Sequence, residues 1–425
     1  MTASTDARLS VLSSLAEIDR QEWDACANPG WPSARPFGED ASSFLKAHHG
    51  GGDREIAPHG AVEPSPEKKP YNPFVSYDFL MALEESGSAT GRTGWQARHL
   101  VLNGADGKAA GIVPCYQKTH SMGEYVFDYG WADAYERAGG RYYPKLQVSV
   151  PFTPATGPRL LCRADAPPAT REVLVAGLLE LCRQLGTSSI HATFLEDGDA
   201  ELLDENGFLA RLDQQFHFIN EGYRDFDDFL DALASRKRKA IRRERREALA
   251  DGITVEPLTG AAITEDDWDA FFGFYMDTGA RKWGRPYLNR RFFSLLGERM
   301  ADRILLIFAK RDGVPIAGAL NMIGSDALYG RYWGASEDVP FLHFEICYHQ
   351  AVDWAIAHGL PRVEAGAQGD HKLARGYRPI VTRSAHWIAD RGLRRAVADY
   401  LSRERDAVVA DHEYLDEHTP FKADT

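Results

Sequence analysis

At 425 residues, 44% hydrophobic and 26% charged, the chain has the composition of a soluble globular protein and length enough for two cores. A formal charge of −13 disfavours general nucleic-acid binding, and no apolar run reaches the ~20 residues that cross a bilayer. Cys26, Cys115, Cys162, Cys182 and Cys347 are scattered and never form a CxxC pair, so neither a disulfide framework nor a thiolate zinc site is expected, and a reducing cytoplasm is.

The opening MTASTDARLSVLSSLAEID has no basic stretch leading into an apolar one, so no export signal is expected. An insertion at about 30–69, including HHGGGDREIAPHGAVEPSPEKKP, has the Gly, Pro and charge content of a mobile loop, and its histidines are read as loop residues, not metal ligands. PYNPFVSYDFLMALEE reads as a helix and RHLVLNGADGKAAGIVPCY as a strand pair. The aromatic excursion EYVFDYGWADAYERAGGRYYPKLQVSVPFTP then separates the third strand from the helix LLELCRQLG. TSSIHATF and GFLARLDQQFHF read as strands around the acidic EDGDAELLDENG, a connector and helix.

A basic helix at about 226–250 comes next. FDDFLDALAS places Phe226, Phe229, Leu230 and Leu233 on one face. RKRKAIRRERR, Arg236 to Arg246, then holds eight basic residues and one acid in eleven. Such a run is a solvated face or a phosphate contact to tRNA or to a nucleotide- or lipid-linked substrate, carried by Arg236, Lys237, Arg238, Lys239 and Arg242. TEDDWDAFFGFYMDTG and RRFFSLLGERM read as helices. LLIFAKRDG, VPIAGALNMIGSD and ALYGRYWG read as three antiparallel strands, the first two joined at Asp312-Gly313. The helix FLHFEICYHQAVDWAIAHG, the strand LPRVEAGA, a short helix and the strand RPIVTRSAHWI complete the chain's plan.

The two halves repeat that order. EWDA at Glu22 answers DWDA at Asp267, and the Asp106-Gly107 strand pair answers the one at Asp312-Gly313. GFLARLDQQFHF ends as GYRPIVTRSAHW does, with His217 and His386 each ten residues after a glycine. An internal duplication, units 1–222 and 223–425, is expected.

EAGAQGDHKLARGY, Glu364 to Tyr377, sets polar and titratable groups among glycines. The glycines let backbone approach a ligand. Glu364 or His371 is the expected proton acceptor, with Gln368, Lys372 and Arg375 on an anionic group. His343, Glu345 and His349 form a second cluster on the long helix, where Glu345 and His349 can pair at four-residue spacing and His343 lies near a helix N-terminus suited to an anion. Arg281, Lys282, Trp283, Arg331, Tyr332 and Trp333 combine cations and aromatics suited to a sugar or nucleotide. Asp128, Tyr129, Trp131, Asp133, Tyr143 and Lys145 are the first half's candidates, expected to line the face between the units.

The element order resembles the GNAT acyltransferase fold, and its doubling resembles Fem-type transferases. The phrases SRKRKAIRRERREA, TGARKWGRPYL, LYGRYWG, LHFEICYHQAVDWAI and EAGAQGDHKLARGY resemble the FemAB-like predicted N-acyltransferases, described as peptidoglycan biosynthesis or recognition proteins. The resemblance implies an α/β fold of tandem duplicated GNAT-like (Fem-type) units, mixed central sheets flanked by helices. It also implies transfer of an acyl or aminoacyl group to the amine of a small molecule or cell-wall precursor. The alternative is a peptidoglycan-precursor recognition protein without chemistry on the same fold. GNAT enzymes that use acetyl-CoA hold pyrophosphate with a glycine loop before the long helix. This chain has GASEDVPFLHFE there, and Glu337 and Asp338 would repel phosphates. Aminoacyl-tRNA, the Fem-type donor, does not need that loop. The expected co-substrate is acyl-CoA or aminoacyl-tRNA, with no tightly bound cofactor and no metal.

Overall fold

The computed structural model describes residues 8–31, 69–282, 286–366 and 369–422. The insertion expected at about 30–69 lies, but for its ends, outside them. In chain order the elements are β1 (Arg8–Leu12), α1 (Arg20–Ala27), α2 (Tyr77–Glu85), β2 (Trp95–Ala97), β3 (His99–Asn103), β4 (Ala109–Val113), β5 (Cys115–Lys118), α3 (Tyr129–Arg137), β6 (Lys145–Val148), β7 (Leu161–Cys162), α4 (Thr170–Leu185), β8 (Ser189–Leu195), α5 (Asp197–Glu205) and β9 (Leu209–Ile219). There follow α6 (Phe226–Ala232), α7 (Ser235–Ala248), β10 (Ile253–Thr259), α8 (Glu265–Lys282), α9 (Arg290–Met300), β11 (Ile304–Arg311), β12 (Val314–Ile323) and β13 (Ala327–Ala335). Helix α10 runs Leu342–Phe344, through a π turn Glu345–His349, and on as Gln350–Ala357. β14 (Arg362–Glu364), a 3-10 turn Asp370–Arg375, β15 (Arg378–Ile388) and α11 (Arg391–Glu417) close the order.

Packing sorts these elements into two compact units. The first gathers Phe74–Gln215 and Pro379–Glu417 with the described residues before 33; the second gathers Phe216–Arg378 with 69–73 and 418–422. The division expected at residue 222 follows the repeat, whereas the packing line follows strand pairing. β15 is antiparallel to β8 through contacts such as Ala385↔Ala192, which binds the chain's last strand and helix to the first unit.

In the first unit two long strands are interrupted. Arg98 separates β2 from β3, and Pro114, which has no N–H for a ladder, separates β4 from β5. β1, β3, β4 and β7 form one four-stranded sheet, and β2, β5, β6, β8 and β15 lie in order in another. β6 pairs parallel to β8, Leu146↔Ile190 to Val148↔Ala192. The aromatic excursion therefore contains a helix and the strand that precedes the crossover. Sequence reading missed β6 because Lys145 opens it, although that lysine is fully buried. Helix α4 packs Leu174, Val175, Leu178 and Leu181 against Leu100, Leu146 and Ile190 in the core.

The second unit follows the expected order of elements. β10 to β13 are antiparallel, β14 is parallel to β13, and β14 pairs with the end of β9 through Val363↔Phe218. The β11–β12 turn is the Asp-Gly hairpin read from the sequence: Asp312 has φ 50° and Gly313 φ 78°, both left-handed. Helices α8 and α9 interlock through Trp268, Phe271, Tyr275 and Phe293. At Gly334 a Cβ would lie 2.0 Å from the Phe274 carbonyl, so only glycine lets α8 approach β13 this closely. Each unit thus combines sheet with flanking helices, and in each a helix lies in the connection between two parallel strands, β6 and β8 in the first and β13 and β14 in the second. Among the described residues no helix is long and apolar enough to cross a membrane.

Candidate active site

β13 and β14 pair over three residues only, Ala327↔Arg362 to Tyr329↔Glu364. Beyond Tyr329, β13 stays bonded to β12 on one side while β14 ends, so its other edge opens. The ladder also slips here. Asn321 faces Gly330 and Leu320 faces Tyr332, which leaves Arg331 as an extra residue. A bulge of this kind re-aims side chains and is common beside functional sites.

A cavity of about 80 Å³ occupies the opening, lined by Asn321, Arg331, Trp333, His343, Cys347 and Tyr348 among others. On this measure it has room for several water-sized groups. The helix wall explains why His343 and Tyr348 both reach it. They are five residues apart, and the π turn at Glu345–His349 adds the residue that puts them on one face, 5.3 Å between ring centroids. Phe341, just before the helix, takes a left-handed φ of 62°, a strained start that permits the abrupt entry. Trp333 stacks obliquely on His343 at 4.4 Å, and its shielded indole N–H has no acceptor among the described residues.

Tyr348 links this cavity to the polar loop, its hydroxyl lying 3.0 Å from His371 Nε2. Burial and the neighbouring Cys347 push the phenol's pKa up, so it stays a neutral hydrogen-bonding group. Lys372, also in the loop, donates to the Gly366 carbonyl at 2.9 Å, and burial brings its pKa down to about 8. Glu364 sits at the end of β14 and accepts from Arg362 at 3.0 Å, with Arg362 also paired to Asp326. The other Glu364 oxygen is buried without a hydrogen bond among the described residues.

Three of the remaining candidates, Arg375, Glu345 and His349, are engaged in packing the unit. Arg375, expected on an anionic group, sends two N–H groups to Glu244, a third to the His371 carbonyl, and lies 3.4 Å above the Phe344 ring. Glu345 accepts from Arg245 at 3.1 Å and from Gln350 at 2.7 Å, and His349 lies 3.7 Å from Glu244. Burial lowers the His349 pKa against the pull of Glu244. Glu345 and His349 thus face separate partners on α7, where their spacing suggested a mutual pair. Arg331 and Tyr332 contact each other at 3.5 Å. Arg281 and Lys282 end α8, and Trp283 and Gln368 lie outside the described residues.

In the basic helix, Arg238 pairs with Asp231 and Arg242 with Asp227, while Arg236, Lys237 and Lys239 are exposed with no carboxylate partner among the described residues. Sequence reading missed two participants. Glu244, the one acid of the run, joins α7 to the loop through Arg375. Tyr348 was hidden because helical spacing alone does not place it beside His343.

Half of the first unit's candidates, Asp128, Trp131 and Lys145, are buried. Lys145 Nζ donates to Ser121 at 2.8 Å, Glu124 at 2.6 Å and Asp128 at 2.5 Å, and the Tyr142 hydroxyl donates to Asp128 at 2.7 Å. The lysine's approach holds the Asp128 carboxyl well below its ordinary range despite burial. Trp131 packs edge-on to His386 at 5.0 Å, Tyr129 is exposed with its hydroxyl donating to the Ser121 carbonyl, and Asp133 is exposed beside Arg137.

A family model described as FemAB-like, peptidoglycan biosynthesis/recognition, matches residues 60–423, most of the chain. The chain belongs to the FemAB-like family. No curated protein matches its sequence. Among solved structures this FemAB-like chain is similar to FemX, with 14% identity over 76% of this chain and 94% of that one, TM-score 0.48. It is also similar to L-PGS from Bacillus licheniformis, 12% identical over 80% and 97%, TM-score 0.48. A tandem GNAT protein from the clavulanic acid biosynthesis pathway is 13% identical over 90% and 98%, TM-score 0.41.

Proposed function

We propose that this FemAB-like protein transfers an acyl or aminoacyl group to the amine of a small molecule or cell-wall precursor, in the cleft where β13 and β14 part. The observation that carries this is the Tyr348–His371 hydrogen bond at the wall of a cavity that opens on an unpaired strand edge. Amide formation needs a proton acceptor, oxyanion donors and a small enclosed space. The acceptor amine attacks the carbonyl of acyl-CoA or aminoacyl-tRNA, and a C–N bond forms as the C–S or C–O bond breaks. The amine proton passes through the Tyr348 hydroxyl to His371 Nε2, and the leaving thiol or hydroxyl takes up a proton. N–H groups on the free edge of β13 serve the oxyanion. His371 is favoured over Glu364 as acceptor because Arg362 already engages Glu364.

The test is direct. The protein is incubated with isotope-labelled acyl-CoA or aminoacyl-tRNA and a panel of amines, and products are read by mass spectrometry. A new amide is expected, with the rate in His371→Gln down by about a hundredfold. No amide with any pair would leave a recognition protein instead.

A further inference from the structure

Helix α7 walls a second cavity in the second unit, of about 390 Å³, with Arg236, Lys237, Ala240, Glu244, Ala374 and Arg375 around it. The size is that of a small-ligand pocket, and the alanines on facing walls keep it open. Its charge is unbalanced. Three cations and one carboxylate line it, and the Glu244–Arg375 pair at 3.0 Å cancels two of the four. Arg236 and Lys237 remain, exposed and with no carboxylate partner among the described residues.

Two features say what such a cavity takes. Arg236 and Lys237 lie in the first turn of α7, and the residue before the helix, Ala234, has no side chain to cap its N–H groups. Cations are disfavoured at a helix N-terminus, where the macrodipole is positive. An anion in the cavity would offset that cost by meeting both side chains. The second feature is the interruption of the positive track. Asp231 and Asp227 neutralise Arg238 and Arg242, and Glu345 with Asp353 engages Arg245. A nucleic-acid backbone is held by a run of cations in register with successive phosphates. Lys239 and Arg246 are also exposed on this helix but lie outside the cavity lining, so the unpaired positive charge at the cavity is that of Arg236 and Lys237 and matches a single phosphate group.

We infer that this cavity binds the phosphate ester of a small, nucleotide-like ligand through Arg236 and Lys237, with the Glu244–Arg375 pair as its fixed wall. The inference goes beyond the transfer chemistry and stands without it, because binding is measured with no turnover. Arg375 also holds the His371 carbonyl at 2.7 Å, so an occupied cavity lies one side chain from the loop of the candidate active site.

The full-length protein is titrated calorimetrically at low ionic strength with adenosine 3′,5′-bisphosphate and, separately, with a single-stranded RNA dodecamer. Saturable binding of the bisphosphate is expected. It should weaken at least about tenfold in the double variant Arg236→Ala, Lys237→Ala, the loss of one or more charge-assisted contacts. Arg243→Ala, which removes an exposed charge paired with Glu247 on the same helix, should leave it within about twofold. Circular dichroism checks that each variant is folded. Absence of saturation, equal weakening in Arg243→Ala, or RNA that binds more tightly than the bisphosphate and loses its affinity in the double variant would each overturn the inference.

Discussion

A lysine that is 1% exposed, as Lys372 is with its amine donating to the Gly366 carbonyl, carries its charge at a cost. Burial is the main cause of its pKa falling from the ordinary 10.5 to about 8. Between those two values the unfolded chain binds more protons than the folded one, so stability rises with pH across that window. Below pH 8 both states are protonated and the full cost stands, on the order of 3 kcal/mol. Lys372→Met removes the titration. The variant's stability relative to the wild type is therefore expected to be greatest at pH 7 and to decline steadily towards pH 10.5. Urea unfolding at several pH values measures this, and a difference that does not change with pH would place Lys372 in contact with water. At pH 7 the amine remains charged.

The clearest case among the elements is the tie between α7 and the π turn of α10. Glu345 is fully buried, and Arg245 on α7 supplies two of the N–H groups that hold its carboxylate. Arg245→Ala leaves that charge in the interior with Gln350 alone, a loss of about 3 kcal/mol by urea unfolding. Adding Glu345→Gln is expected to recover part of it. A loss below about 1 kcal/mol would mean that the pair is as weak as a surface ion pair.

These two helices also mark what composition and spacing convey. The amphipathic face of α6, the Asp312-Gly313 hairpin and the order of strands in the second unit follow from local rules, and they were legible. The π turn was not, because it arises from how the helix packs into the opening beside β13 and has no residue signature. The basic run was legible as charge but not as partnership. Whether an arginine is free or tied to Asp227 or Asp231 depends on the bend between α6 and α7. β6 was lost for the same kind of reason, since Lys145 looks like surface until Glu124 and Asp128 are placed around it.

Across the whole chain one plan occurs twice, yet the two copies are used differently. In the first unit the polar groups of the aromatic excursion turn inward and satisfy one another around Lys145. In the second, comparable groups line an open cavity, with Tyr348 and His371 bonded at its wall. Sequence repetition alone does not distinguish these outcomes; strand length does, because β6 ends at Val148 with its last partner on β8, whereas β13 runs on to Ala335 past its last partner on β14 and leaves an edge for a ligand. The contrast can be put to one comparison of two hydroxyl deletions. Tyr348→Phe removes the hydroxyl bonded to His371, and Tyr129→Phe removes one on an exposed residue of the first unit that donates to the Ser121 carbonyl. With amide formation from labelled donor as the readout, chemistry in the second unit's cleft requires Tyr348→Phe to lose about a hundredfold in rate and Tyr129→Phe to stay within about twofold of wild type. Full activity in Tyr348→Phe, or a comparable loss in Tyr129→Phe, would move the reaction out of this cleft.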